Sequence, residues 1–482
     1  MRTCLDFLLY DWLKVEGLCE RSRFEDHGRE TFNQVLDTCE RIARDKYAPF
    51  NRLVDTQEPH FDGERVTLPQ ATHEAWAAYA GSGMLAAAQD YELGGMQLPY
   101  TVEAAANAFF AKASVSINAG LLTVGNANLL MAHGTPLQQQ VFAHREFKGE
   151  WAGTMCLSEP QAGSGLADVA TRAVPDGEGH ADDPLGPRYR LFGNKMWISA
   201  GEHELTENIV HLVLAKIPGP DGKLLAGTRG ISLFICPKHL VNAQGQMTGE
   251  RNDVALAGLN HKCGWRGTTN TLLNFGEGRW QPGGAAGAVA YLVGQPGQGL
   301  ACMFHMMNEA RIAIGMAATM LGMAGYEASL AYAKDRKQGR ALNQKDPSSP
   351  MQGGAGLKLL ATRINQTIEA ALQHADLAAY ANGLAQAVQR LGAATKAAWA
   401  TGQPEDALAN ATPYLQAAGH VVLAWVWLDL ALAASSAPED RQAGVRAAAR
   451  YFHVYELPKV YPWLEVVAAR ESVCRDMQPD WF

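Results

Sequence analysis

The chain has 482 residues, enough for two or three domains with an ample core. Its 41 basic and 49 acidic residues leave a net charge of −8, which excludes the basic footprint of a general nucleic-acid binder. The eight cysteines are scattered, with no Cys-x-x-Cys pair and no Cys/His cluster. Neither a metal site nor a disulfide framework is therefore assigned, and reduced thiols fit a cytoplasmic protein.

In chain order, residues 5–11 are too short an apolar run, broken by Asp6 and Asp11, to read as a signal peptide. Residues up to about 150 read as helical. Phe32, Val35, Leu36, Cys39, Ile42, Ala43 and Tyr47 fall on one face at 3.6-residue spacing. Residues 75–88 and 104–122 are alanine-rich and also read as helices. Thr135-Pro136 predicts a helix start, a capping hydroxyl followed by proline at the first helical position.

The texture changes at Trp151. Thr154-Met155-Cys156-Leu157-Ser158-Glu159-Pro160-Gln161-Ala162-Gly163-Ser164 is an apolar run that ends in hydroxyl, proline and glycine residues. Gly193-Asn194-Lys195-Met196-Trp197-Ile198-Ser199-Ala200-Gly201 repeats that pattern. Such runs read as strands that deliver loops to a site. Ser158, Ser164 and Ser199 supply hydroxyls and Trp197 a flat apolar face, equipment for a planar, polar-edged ring and a phosphate. Spacing alone equally allows ordinary β-domain turns and a core tryptophan. Residues 209–214, 231–235 and 272–275 are further strand-like runs, and His261 reads as a polar loop residue.

From Gly299 the pattern is helical again. Met303, Met306, Met307, Met316, Met320 and Met323 form a stripe that reads as core. Gly353-Gly354-Ala355-Gly356 follows no strand and completes no Gly-x-Gly-x-x-Gly, which argues against a Rossmann site. The absence of Gly-x-Ser-x-Gly argues against an α/β-hydrolase. Residues 417–434 are apolar except for His420 and Asp429 and read as a buried bundle helix, so no transmembrane segment is expected.

Ser158-Glu159-Pro160-Gln161-Ala162-Gly163-Ser164 followed by Lys195-Met196-Trp197-Ile198-Ser199-Ala200-Gly201 resembles the flavin-binding signature of the acyl-CoA dehydrogenase family. Serine stands at 158 and 199 where that family usually has threonine, and Gly165 where it commonly has aspartate. The 89–95 and 260–269 stretches resemble the family's Gly-Gly and Lys-x-Gly loops. The likeness is nearest to the branch that includes the 3-methylmercaptopropionyl-CoA dehydrogenases, to which residues 207–216 and 230–234 are similar.

The resemblance implies an α+β multidomain fold. An N-terminal α-helical domain (1–150) is followed by a central β-barrel-like domain (151–278) and a shortened C-terminal helical domain (279–342). A linker (343–356) then leads to a C-terminal helical extension (357–482). It also implies FAD held by Met155, Cys156, Leu157, Ser158, Ser164, Trp197, Ile198, Ser199 and, across a homo-oligomer contact, Arg336. Ser164 and Arg311 would serve the substrate, an acyl-CoA thioester such as 3-methylthiopropanoyl-CoA or a short or medium acyl-CoA, with electron-transfer flavoprotein as acceptor.

One expected part is missing. The family continues beyond the position of Arg336 through further helices to a Tyr-Glu-Gly loop, whose glutamate removes the substrate's α-proton in this branch. No Tyr-Glu-Gly stands between Arg336 and Leu357. Some members carry the base immediately before the arginine matched by Arg311, which here is Ala310; Glu309 lies about 100° around the helix from it. The readings are an active dehydrogenase with Glu309 as a weak candidate base, a catalytically impaired FAD/acyl-CoA-binding paralogue, or a poorly folding deletion product.

Overall fold

The computed structural model describes residues 1–117, 120–336, 355–436, 438–478 and 481. Residues 343–354 of the expected linker, with Gln352-Gly353-Gly354, lie outside the described residues; Ala355 and Gly356 already open a helix, Ala355–Ala371. The chain divides into two units, Met1–Arg336 and Lys337–Phe482.

In the first unit, helix Arg29–Ile42 and the turns after it bury Phe32, Leu36, Cys39, Ala43 and Tyr47, with Val35 and Ile42 at the edge of that core. Thr135 caps as expected: its hydroxyl accepts from Gln138 N (3.2 Å), and Gln138 Oε1 accepts from Thr135 N (2.9 Å). The expected helix over 104–122 is instead two, Tyr100–Ala113 and Leu121–His133. Ser114 turns extended, and Gly120 sits at φ 73° where a Cβ would stand 2.7 Å from Leu85. The positive φ favours glycine there.

The described residues form twelve strands. A hairpin of β1 (His60–Phe61) and β2 (Val66–Thr67) comes first, then β3 (Trp151–Cys156), β4 (Arg172–Pro175), β5 (Arg188–Ser199) and β6 (Asn208–Lys216). Next are β7 (Ile231–Pro237), the ribbon of β8 (His239–Val241) and β9 (Met247–Arg251), then β10 (Val254–Leu259), β11 (Asn270–Phe275) and β12 (Ala288–Val293). The first half of β5 pairs with β4 and β12; its second half pairs with β11. From β12 the sheet continues through β7 to β6, and β6 meets β4 at Arg172 and Lys216. The ring β5-β12-β7-β6-β4 is thus closed, the expected barrel-like domain. β3 lies parallel to β6 on its outer side.

The sheet runs past the expected boundary at 278, because β12 (Ala288–Val293) is wholly buried between β5 and β7. The following helix, Gly299–Asp335, starts where a Cβ on residue 299 would stand 2.2 Å from the Ser232 backbone. Buried amides join helices to sheet. Asn126 Nδ2 donates to Thr154 O (3.1 Å) and Val210 O (2.9 Å), and Gln138 Nε2 to Leu185 O (2.8 Å) and Leu292 O (2.9 Å).

The methionine stripe is core only in part. Met303 and Met306 are buried, Met307, Met316, Met320 and Met323 half-buried, and no described residue of the helix beyond Ala317 is buried. Ile312, Ile314, Leu321, Tyr326 and Tyr332 are exposed. The apolar pattern continues past the part of the helix that its packing buries.

The second unit is a helical bundle around Ile364, Leu384, Leu391, Val421, Leu428 and Leu464. Its helix Ala411–Ala433 is long and apolar enough to cross a membrane by length and composition. Here it buries Ala417, Val421, Ala424, Leu428 and Ala431 as one stripe. Asp429 accepts from Thr367 Oγ1 (2.8 Å) and pairs with Arg363 (3.1 Å). All eight cysteines are free thiols.

Candidate active site

The two glycine- and hydroxyl-rich stretches meet. β5 carries two residues, Met196 and Trp197, opposite one residue of β11, since Leu273 faces Lys195 and Thr271 faces Ile198. A bulge of this kind re-aims a side chain. Trp197 sits at φ 65° with its side chain 57% exposed, and Met196 N donates to Ser158 O (3.0 Å). The ring therefore stands open beside the loop that leaves β3.

That loop is fastened from below. Lys195, fully buried on β5, donates from Nζ to Leu157 O (3.0 Å) and Glu159 Oε1 (2.9 Å). Glu159 also accepts from Thr171 Oγ1 (2.6 Å), Thr171 N (3.1 Å), Ala170 N (2.8 Å) and Gln161 Nε2 (2.7 Å). Burial pushes this carboxyl up, but the Lys195 charge and the Thr171 and Ala170 donors outweigh it and hold it below the ordinary carboxylate range. Gly193 lets β5 pass close to this loop: a Cβ there would lie 2.5 Å from Thr171 Oγ1.

The expected cofactor residues divide by what they expose. Cys156, Leu157 and Ile198 are buried, and Met155 is half-buried against the core, so Cys156, Leu157 and Ile198 have only main chain to offer a ligand. Ser158 and Ser199 are half-buried, and Ser164 is exposed. Arg336, just past the end of the long helix, is exposed and donates to Tyr332 Oη (2.9 Å). The surface beside Trp197 offers serine hydroxyls, glycine backbone and an open indole, and Glu159, the acid of the adjoining loop, is fully engaged. Such a surface fits a planar, polar-edged ring and does not repel an attached phosphate.

A cavity of about 210 Å³ lies between the helices. Tyr79, Leu85, Phe110, Ile117, Ile312 and Met316 make its walls apolar. Trp265 also lines it, from a loop that leads into β11, where Asn270 faces Ser199 and Thr269 O accepts from Ala200 N (2.9 Å). One loop thus joins the cavity to the end of β5. Arg311 is not among the lining residues; it is exposed, with its guanidinium 5.2 Å from the Phe304 ring.

Glu309 does line the cavity. Its Oε2 accepts from Asn128 Nδ2 (3.0 Å), and burial raises its pKa against the opposing pull of Asn128 and His305. A second carboxyl, Glu103, has no motif to mark it in the sequence. It lies on helix Tyr100–Ala113, only 7% exposed, and lines the same cavity. Burial, then Glu309, raise its pKa to about 7. The available signal was a lone acid between Val102 and Ala104, one and two turns before Ala106, Asn107 and Phe110 on one helix face.

Helices that precede and follow a small closed sheet in the chain, with a hydroxyl-lined ledge and an apolar cavity carrying carboxyls, make an architecture suited to binding a cofactor and a partly apolar ligand. Residues 29–150 match the family model for the acyl-CoA dehydrogenase N-terminal domain. Residues 360–478 match the model described as acetyl-CoA dehydrogenase C-terminal like. The chain belongs to the acyl-CoA dehydrogenase family. It is 35% identical over 338 residues to a 3-methylmercaptopropionyl-CoA dehydrogenase of Ruegeria pomeroyi, covering 70% of this chain and 53% of that protein. It is 33% identical over 355 residues to a butyryl-CoA dehydrogenase of Syntrophomonas wolfei, covering 72% and 55%. The chain spans about half the length of the curated relatives it matches. A solved acyl-CoA dehydrogenase of Geobacillus kaustophilus shares the fold at TM-score 0.50 and 17% identity, over 92% of this chain and 98% of its own. Proteins of this family use FAD.

Two of the buried acids, Glu159 and Glu103, predict opposite behaviour. Lys195→Met should destabilise the protein by about 3–5 kcal/mol in urea unfolding, the usual result of leaving a buried partner uncompensated; an unchanged midpoint would contradict the role given to the pair. Glu103 behaves with the opposite sign. Its folded pKa lies above the unfolded value, so its contribution is present below the unfolded carboxyl pKa and lost as pH rises toward about 7. The loss amounts to about 3 kcal/mol at most, since each pH step of one between the unfolded and folded pKa values is worth roughly 1.4 kcal/mol. Glu309 shifts in the same direction and adds to it. Urea unfolding from about pH 5 to about pH 8 should show this decline in wild type and a shallower one in Glu103→Gln; equal slopes would remove Glu103 as its source.

Proposed function

We propose that the chain is an FAD-dependent acyl-CoA dehydrogenase-type oxidoreductase that introduces an α,β double bond into an acyl-CoA thioester. The observation that carries this reading is the joining of the open Trp197–Ser199 strand end to a carboxyl-bearing apolar cavity through the Trp265 loop. The cofactor supplies the two-electron acceptor for the β-hydride. Trp197 would cover the ring face. The hydroxyls of Ser158 and Ser199, with main chain from Met155, Cys156, Leu157, Ser158 and Ile198, would hold its polar edges. Ser164 would reach a phosphate or the thioester arm. Arg336, exposed and donating to Tyr332 Oη, would face the cofactor of a neighbouring copy in a homo-oligomer.

The thioester's α-proton needs an acceptor. Glu309 lines the cavity, is raised in pKa and is held at one oxygen by Asn128, which suits a general base. The matched relatives name 3-methylmercaptopropionyl-CoA and butyryl-CoA, so 3-methylthiopropanoyl-CoA and short or medium acyl-CoAs are the substrates to try first. Electron-transfer flavoprotein would reoxidise the cofactor, in the cytoplasm, where eight free thiols would stay reduced. A second reading, a catalytically impaired FAD- and acyl-CoA-binding paralogue, is favoured by the absence of Tyr-Glu-Gly between Arg336 and Leu357.

Two variants separate them. Trp197→Ala should lower the flavin retained on purification. Glu309→Gln should keep flavin but slow artificial-acceptor turnover of 3-methylthiopropanoyl-CoA or hexanoyl-CoA by ~10²–10⁴. Measurable wild-type turnover that survives Glu309→Gln would remove Glu309 as the base. Flavin-loaded wild type without turnover would favour the impaired paralogue.

A further inference from the structure

Glu103 differs from Glu309, the other carboxyl lining the cavity, in having no hydrogen-bond donor among the described residues. It is 7% exposed, and neither of its oxygens takes a hydrogen bond from a described protein group. Ala104, Phe110, Ile312 and Met316 line the same cavity, and no lysine or arginine lines it among the described residues. Asn107, one turn along the same helix, accepts through Oδ1 from Tyr79 Oη (2.9 Å). Asn128 is engaged with Glu309 (3.0 Å) and Gln89 (2.8 Å).

A buried carboxyl without donors is costly unless solvent or a ligand supplies them. Water can do so while the cavity is open. When an acyl chain fills it, water leaves and the donor must come from the chain. A purely alkyl tail would press methylenes against an unsatisfied carboxyl. A chain carrying a hydroxyl or ammonium group would answer it, and sites built around such a bond reject analogues that lack the donor.

We propose that this cavity selects acyl groups that carry a hydrogen-bond donor along the chain, with Glu103 as the specificity-determining acceptor. The inference rests on the acyl-CoA reading above. Glu309, the other carboxyl that lines the cavity, raises the pKa of Glu103 and is itself held by Asn128. A neutral donor needs only one oxygen of Glu103; an ammonium would also draw on its charge.

The test is calorimetric binding of hexanoyl-CoA, ω-hydroxyhexanoyl-CoA and ω-aminohexanoyl-CoA to the full chain as purified. Wild type should bind at least one donor-bearing thioester about tenfold or more tighter than hexanoyl-CoA, the scale of one hydrogen bond to a charged group. Glu103→Leu should reverse that order. Glu103→Gln, closer in shape but uncharged and carrying its own donor, should weaken the preference for the hydroxyl chain and lose any for the ammonium chain, and it stands in if the leucine variant does not fold. Hexanoyl-CoA bound as well as or better than both others in wild type would overturn the inference and leave the acyl-CoA reading intact. A donor preference unchanged in Glu103→Gln and Glu103→Leu would overturn the role of Glu103. Failure of all three thioesters to bind, with the fold confirmed by circular dichroism, would overturn the acyl-CoA reading and this inference with it.

Discussion

The buried Lys195–Glu159 pair fixes the part of the molecule on which the proposed chemistry depends. Two charges removed from water are expensive, and their attraction recovers the cost only when remaining lone pairs and protons are also satisfied. Glu159 meets that condition with five donors, and Lys195 adds the Leu157 carbonyl. The result is a clamp between β5 and the loop leaving β3. It makes the Ser158–Met196 bond and the Trp197 bulge a single geometry. An exposed indole at positive φ is an unfavourable arrangement for an isolated strand end, and it persists where the surroundings over-determine it.

Glu103 shows the same side chain under the opposite regime. Both acids are buried, yet one is pulled below the ordinary range by donors and a lysine while the other is pushed to about 7 by apolar walls and a second carboxyl. The first is built into structure. The second is left with capacity for something that is not part of the chain. Glu309 lies between these cases, with one oxygen tied and the other toward His305 at 4.0 Å. Divergent environments for like groups are a general mark of functional sites.

Much of this was legible in the residues. The 154–164 and 193–201 stretches predict strand ends that converge, because hydroxyl, glycine and proline chemistry is local. Thr135 as a cap and the bundle character of residues 417–434 are likewise local or periodic signals. What was hidden depends on contacts far apart in sequence. β12 follows a glycine-rich stretch and shows itself as a strand only by pairing with β5 and β7, which moves the domain boundary from 278 to 293. The helix start after Gly120 places that glycine at positive φ against Leu85, a contact 35 residues away in sequence. Arg311, expected at the substrate, lies outside the cavity lining because its place on the helix faces away from it, and Glu103 faces the cavity because two separate helices face each other there.

The central claim is that the ledge at Trp197 and the carboxyl-bearing cavity serve one reaction. Its most direct test is an anaerobic titration of the purified, flavin-loaded protein with acyl-CoA thioesters, followed through the visible absorbance of oxidised flavin. Bleaching at stoichiometric thioester, with return of colour on adding an oxidant, is the predicted result. A protein that carries no flavin after reconstitution, or whose oxidised band is unchanged by every thioester, would contradict the account.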